Sequence, residues 1–213
     1  VFPQFKQPVI ARLPLLKRFV LIVLLETSGG KIRNRLETPL VYGGNVVMLR
    51  LMPSSHDVAA YILKKHGPMS TWKLQKLVYY SQAWSLVWDD APLFDDRIEA
   101  WANGPVTRVL YAKHRGQFTV GDWSWGDPKQ LTRQQRDTVD IVLADYGELT
   151  GRQLSHLTHA EQPWRDARDG LGPTDPGSRE ITLDALQAYY AALDVDENVP
   201  TVGDIDWASI ETR

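Results

Sequence analysis

The sequence predicts a mainly α-helical protein, a compact domain of about six helices with a small β-hairpin, spanning residues 52–193. Three observations carry that expectation. Between Lys73 and Trp88, apolar and aromatic residues recur at steps of three and four (Leu74, Leu77, Val78, Ser81, Trp84, Trp88), the spacing of one helical stripe, with Lys73, Lys76 and Gln82 outside it. Two Thr-x-x-Gln boxes, Thr132 with Gln135 and Thr150 with Gln153, mark helix starts, because each side chain satisfies a backbone group that the first turn leaves open. Finally, glycine and proline punctuate the intervals between these periodic stretches, as in Gly67-Pro68, Asp89–Pro92, Asn103-Gly104-Pro105 and Gly170–Gly177.

Taken in order, Ser54 or Ser55 caps a first helix from about His56 to His66, whose apolar face holds Val58, Ala59, Ile62 and Leu63. Ser70 or Thr71 opens the aromatic helix, which continues to Trp88. Phe94–Trp101 reads as extended, with Ile98 and Ala100 alternating against Glu99 and Trp101. Pro105 suits the first position of a third helix bearing Val106, Val109, Leu110 and Lys113. Gln117–Trp125 is rich in strand formers and either pairs with the Ile98 strand or stays a loop. The two boxed helices present Val139, Val142, Leu143 and Tyr146, ending at Gly147, and Leu154, Leu157 and Thr158, stopping before Pro163. Leu183, Leu186, Tyr190 and Leu193 make the last amphipathic helix. From Asp194 six acids face only Arg213, which reads as a solvated acidic tail over 194–213, tethered at most by Trp207.

Residues 1–51 have a different composition. All eight tryptophans lie beyond position 71, while this segment holds eight Lys or Arg against Glu26 and Glu37. It is therefore +6 and the remainder −8, behind an overall charge of −2. We expect an atypical basic extension, either disordered or a mis-called upstream stretch, with folding and function starting near Met52. Two readings compete with this: a basic arm that docks on an acidic partner, and a β-hairpin around Thr38–Arg50 with Val41-Tyr42 and Val46-Val47 in its arms. The apolar run Phe19–Leu25 is too short for a membrane span of about 20 residues. Nor does Glu26–Gly30 supply a clear small-x-small cleavage site after it.

The composition excludes several chemistries. With no cysteine, disulfides, thiolate zinc sites and thiol nucleophiles are ruled out, and a cytoplasmic home is compatible. An acidic body argues against a nucleic-acid partner, since such binders carry a basic face. His156 and His159 lie three apart, with Glu161 just beyond, and Asp89, Asp90, Asp95, Asp96 and Glu99 cluster near a loop. A metal-dependent hydrolase or nuclease built from these groups is the alternative function. Against it, no HExxH spacing and no phosphate-cradling glycine loop accompany them. No serine sits in a nucleophile motif, and Trp84, Trp88, Trp101 and Trp164 are at spacings usual for core.

Three linked segments carry a resemblance: Lys73-Leu74-Gln75-Lys76-Leu77-Val78-Tyr79-Tyr80 through Trp84; Ile98-Glu99-Ala100-Trp101-Ala102-Asn103-Gly104-Pro105-Val106; and Leu154 through His159-Ala160-Glu161-Gln162-Pro163-Trp164. In order and spacing they resemble the Panacea domain of SocA-like antitoxins, over about Ser54 to Leu193. Asn103, Ala160 and Gln162 depart from the residues relatives usually carry. The resemblance implies a non-enzymatic antitoxin of a bacterial or phage toxin–antitoxin system, cytoplasmic, encoded near a cognate protein toxin that it neutralises by direct binding. A second mechanism it implies is an adaptor role, handing the toxin to a AAA+ protease. It brings no cofactor, no metal and no catalytic residue. The contact or motif candidates it marks are Lys73, Gln75, Lys76, Tyr79, Tyr80, Trp84, Glu99, Trp101, Gly104, Pro105, His159, Glu161, Pro163 and Trp164. Aromatic anchors with charged rims are what binding hot spots use.

Overall fold

In a computed structural model, residues 37–42, 45–50, 52–196 and 202–208 are described. The chain divides into two units, one within Pro8–Leu51 and a larger one from Met52 onward. In the smaller unit, β1 (Glu37–Tyr42) and β2 (Asn45–Arg50) pair antiparallel, with Val41 opposite Val46 and Tyr42 opposite Asn45. The backbone there follows the hairpin reading of Thr38–Arg50. The Phe19–Leu25 run and Glu26–Gly30 lie outside the described residues, as does half of the acidic tail.

The larger unit is mainly α. It contains α1 (Ser55–His66), α2 (Thr71–Trp88), α3 (Arg108–His114), α4 (Arg133–Tyr146), α5 (Gly151–Ala160), α6 (Gln162–Ala167) and α7 (Leu183–Val195). Between them run two small antiparallel pairs: β3 (Met69–Ser70) with β6 (Thr119–Val120), and β4 (Ile98–Trp101) with β5 (Gly104–Thr107). Ser54, Thr132 and Thr150 each close a complete capping box, and Ser70 caps α2 through a bond from the Lys73 amide. Each cap fixes where its helix begins, and hence which face meets the core.

Helix α2 is the axis of the domain, with α7, α4, α5, α1 and β5 packed around it. Because its middle, Leu74 to Leu86, is enclosed on every side, Lys76 and Gln82, read as lying outside the apolar stripe, are buried along with Gln75. A helix with no solvent face can hold polar residues only where each finds a partner. Gln82 does so by accepting from the Leu93 and Phe94 amides (2.9 and 3.1 Å) and donating to the Phe94 carbonyl (2.9 Å). It thereby folds the loop after α2 back onto the helix.

Three other expectations are corrected. Gly104-Pro105-Val106-Thr107 is strand β5 and not the first turn of a helix, which starts at Arg108. Pro105 is tolerated there because it faces Ala100, whose own N–H points to the other side and donates to Arg179 (2.8 Å), so no ladder bond is lost. Thr119–Val120 pairs with Met69–Ser70 and not with the Ile98 strand. As expected, α5 stops before Pro163, at Ala160; Pro163 then opens α6, a short further helix for which Glu161 is the N-cap position. In β4, Glu99 does not alternate outward: it is buried. At the far end, Val202 and Ile205 are buried and Trp207 packs partly against the core, so this part of the tail is held. No helix among the described residues is long and apolar enough to cross a membrane.

Candidate functional site

The sequence-marked residues separate into an interior cage and an open cleft, joined by Lys76 and Gln75. At the centre of the cage is Glu161, placed by the α5–α6 junction. Its carboxyl accepts hydrogen bonds from the hydroxyls of Tyr80 (2.8 Å), Tyr190 (2.7 Å) and Tyr79 (3.2 Å). The rings enclose it: Tyr80 stacks on Tyr146 at 4.2 Å, and Tyr190 meets Tyr79, Tyr80 and Trp84 edge to face. Trp84 in turn donates to the Tyr146 hydroxyl at 3.3 Å. Desolvation pushes the Glu161 carboxyl up to about 7, opposed by the three phenolic donors, and burial drives Tyr79, Tyr80 and Tyr190 well above their usual 10. A carboxyl so enclosed ties α2, α6 and α7 together.

On the other side of this junction, Pro163 is buried and Trp164 donates its indole N–H to the Trp101 carbonyl (2.9 Å), fixing α6 against β4. His159 stacks on Trp164 at 4.2 Å, and burial, with the nearby Lys76 charge, lowers it to about 4. Arg168 lies 5.2 Å over the same indole and donates to the carbonyls of Ala100, Gly172 and Asp175 (3.2, 2.8 and 2.8 Å). It therefore clamps the 170–177 loop to β4.

The hairpin β4–β5 is fastened to α2 by two long side chains. Gln75 accepts from the Thr107 amide (2.8 Å) and donates to the Thr107 carbonyl (3.2 Å), standing in for a neighbouring strand. Lys76 donates to the Pro105 carbonyl at 3.0 Å, and its burial lowers the ammonium to about 7. Gly104 (φ +99°) leaves the space that the lysine stem fills, for a Cβ there would lie 2.6 Å from Lys76 Cε.

These fastenings shape a cleft of about 770 Å³. Its lining includes Lys76, Glu99, Trp101, Arg108, Tyr111 and His114, with Thr174–Ser178 opposite. Trp101 donates to Glu99 (2.8 Å) and meets Tyr111 edge to face at 4.7 Å, so both aromatic walls are held. Arg108 stands at the rim, 3.9 Å from the Glu99 carboxylate, with most of its side chain in solvent. Trp72, 50% exposed, lines the edge, and the fully displayed Phe118 follows the lining residue Gln117. Of the sequence-marked residues, Gln75, Lys76, Glu99 and Trp101 reach this cleft; Tyr79, Tyr80, Trp84, Glu161 and Pro163 are interior. Lys73 is half-buried beside His66, 3.3 Å away. Arg108, Tyr111 and Arg168 are not marked by the sequence, and Tyr146 and Tyr190 are marked only as apolar-face positions of their helices. Tyr190 lies outside all three motifs, and only a folded chain brings it to Glu161.

The alternative grouping of His156, His159 and Glu161 does not converge, since Glu161 faces the tyrosines and His159 the Trp164 ring. The loop acids scatter to separate structural bonds, Asp89 to Thr138 and Gln134, Asp90 to Gln187 and Asp96 to Ser55. No group of three or more His, Asp or Glu among the described residues is arranged to hold a metal ion.

Fold and site together define a helical domain with a buried polar interior and an aromatic, cation-rimmed cleft at one face. Residues 74–165, from α2 to α6, match the family model described as antitoxin SocA-like, Panacea domain, which bears out for that stretch the resemblance carried by the three motifs. No curated protein and no solved structure gives a significant match.

Proposed function

We propose that the protein is an antitoxin that neutralises a cognate protein toxin by direct contact, without catalysis of its own. The observation that carries this reading is where the matched stretch spends its polar residues. Glu161, Gln75 and Lys76 are hydrogen-bonded to tyrosines and backbone, and His159 is stacked on a tryptophan. What that stretch leaves open is the cleft wall of Trp101, Arg108 and Tyr111. Half-exposed aromatics beside a charged rim are the composition of protein-binding hot spots. The site of action we assign is the cytoplasm, with neutralisation by occlusion.

Co-expression with the product of the adjacent gene tests this. That product alone should arrest growth, and this chain should restore growth and copurify with it. A neighbour that is harmless alone, or toxic in the presence of this chain, would remove the reading. The enzyme alternative has its own check: purified protein should contain no stoichiometric metal that His159→Ala removes.

A further inference from the structure

The body from Met52 onward carries a net −8, yet the cleft gathers Lys76, Arg108 and Arg115 against the single carboxylate Glu99. The local sign is thus reversed within an acidic surround. Glu99 is also committed, accepting from the Trp101 indole at 2.8 Å, and its pairing with Arg108 is long at 3.9 Å. Lys76 is buried at the cleft floor, and of its three donor positions one is taken by the Pro105 carbonyl. Arg108 leaves its guanidinium in solvent, and Arg115 is exposed alongside. The walls between these cations are flat and apolar, formed by Trp101 and Tyr111, with Trp72 at the edge.

We infer that this cleft is the docking site for an acidic segment of the partner polypeptide, its carboxylates meeting Arg108 and Arg115 while an adjoining apolar or aromatic side chain packs against the surface that Trp101 and Tyr111 form together. The inference rests on the antitoxin reading and gives that reading a location and a charge. Electrostatic complementarity of this kind sets partner choice and approach rate, and guanidinium forks match carboxylates in two-pronged geometry. The net −8 of the larger unit disfavours the same segment elsewhere on that unit.

The test uses the full chain and the adjacent gene product. The double variant Arg108→Glu with Arg115→Glu changes exposed side chains and gives up the long Arg108–Glu99 pair, so its thermal melt should stay cooperative and fall only slightly below that of the wild type. Its binding to the neighbour should fall by roughly tenfold or more, and rescue of growth should be lost. Arg133→Glu, on the exposed face of α4, is the charge control and should bind and rescue normally. Lys substitutions at the partner's acidic segment should restore binding to the double variant. If the double variant still binds and rescues while the wild type does so too, the docking site is wrong and the antitoxin reading stands. If the wild type itself neither binds nor rescues, both fall. Sedimentation supplies a further outcome: a wild-type self-association that the double variant abolishes would assign the cleft to a second copy of this chain and overturn the proposal.

Discussion

Glu161 and Lys76 are buried ionisable groups whose titration reports on the core, and they act in opposite directions. The Glu161 carboxyl sits at about 7 when folded against an ordinary 4.5. Across that window the folded chain keeps a proton that the unfolded chain has released, so this group's contribution to stability is present below pH 4.5 and is lost as pH rises to about 7. Lys76 is lowered from 10.5 to about 7, so between those values the unfolded chain holds the extra proton and stability rises with pH. Melting temperatures of Glu161→Gln should therefore gain on the wild type between pH 4.5 and 7. Those of Lys76→Met should lose ground to the wild type from pH 7 to 10.5. A difference that is flat with pH in either series would place the charge elsewhere. Gly104→Ala is a purely steric probe: its Cβ collides with the Lys76 stem, and φ of +99° is strained for alanine. We expect a loss of about 2–4 kcal/mol, read by urea denaturation. The sequence marked most of these residues through its motifs. It did not reveal their partners, because Tyr190 and Tyr146 lie far along the chain from α2 and meet it only through packing.

At the scale of elements, α2 organises the hairpin β4–β5 through Gln75, whose amide satisfies both backbone groups of Thr107. Gln75→Leu keeps the volume and strands those groups in the interior, where each unsatisfied group costs about 1–3 kcal/mol. The variant should unfold at lower urea with an unchanged m-value, and the cleft wall should show faster amide exchange at Val106 and Thr107. Thr150→Ala removes the cap of α5 and should cost about 1 kcal/mol in the same assay. Helix starts were legible because capping is a local affair: Ser54, Thr132 and Thr150 announce themselves within four residues. The strand at Gly104–Thr107 was not, because its extended form depends on Gln75 and Ala100 from elsewhere, and Pro105 alone suits either a helix start or a strand edge. The full burial of α2 was likewise hidden. A stripe at helical spacing predicts one buried face, and Lys76 and Gln82 reveal their burial only once the carbonyls of Pro105 and Phe94 are in place.

For the molecule as a whole, the change in composition at Met52 coincides with the division into two units. We propose that the larger unit is the functional one. A chain beginning at Met52 should then keep the melting temperature of the full protein to within about 2 °C and retain rescue in the co-expression assay. Loss of rescue with an unchanged melt would instead assign residues 1–51 to partner binding.

The enclosure of α2 has a consequence for how such a protein diversifies. A helix with every face spoken for is a poor place to write new specificity, since almost any exchange there is felt by the core. Trp72, Arg108, Arg115, Gln117 and Phe118 carry no comparable burden. In a saturation library these positions should accept many residues without loss of expression while, on the proposed antitoxin reading, scattering widely in partner affinity, whereas Leu74–Trp84 should be nearly invariant among survivors. One framework of this kind can be redirected to unrelated targets by repainting its rim.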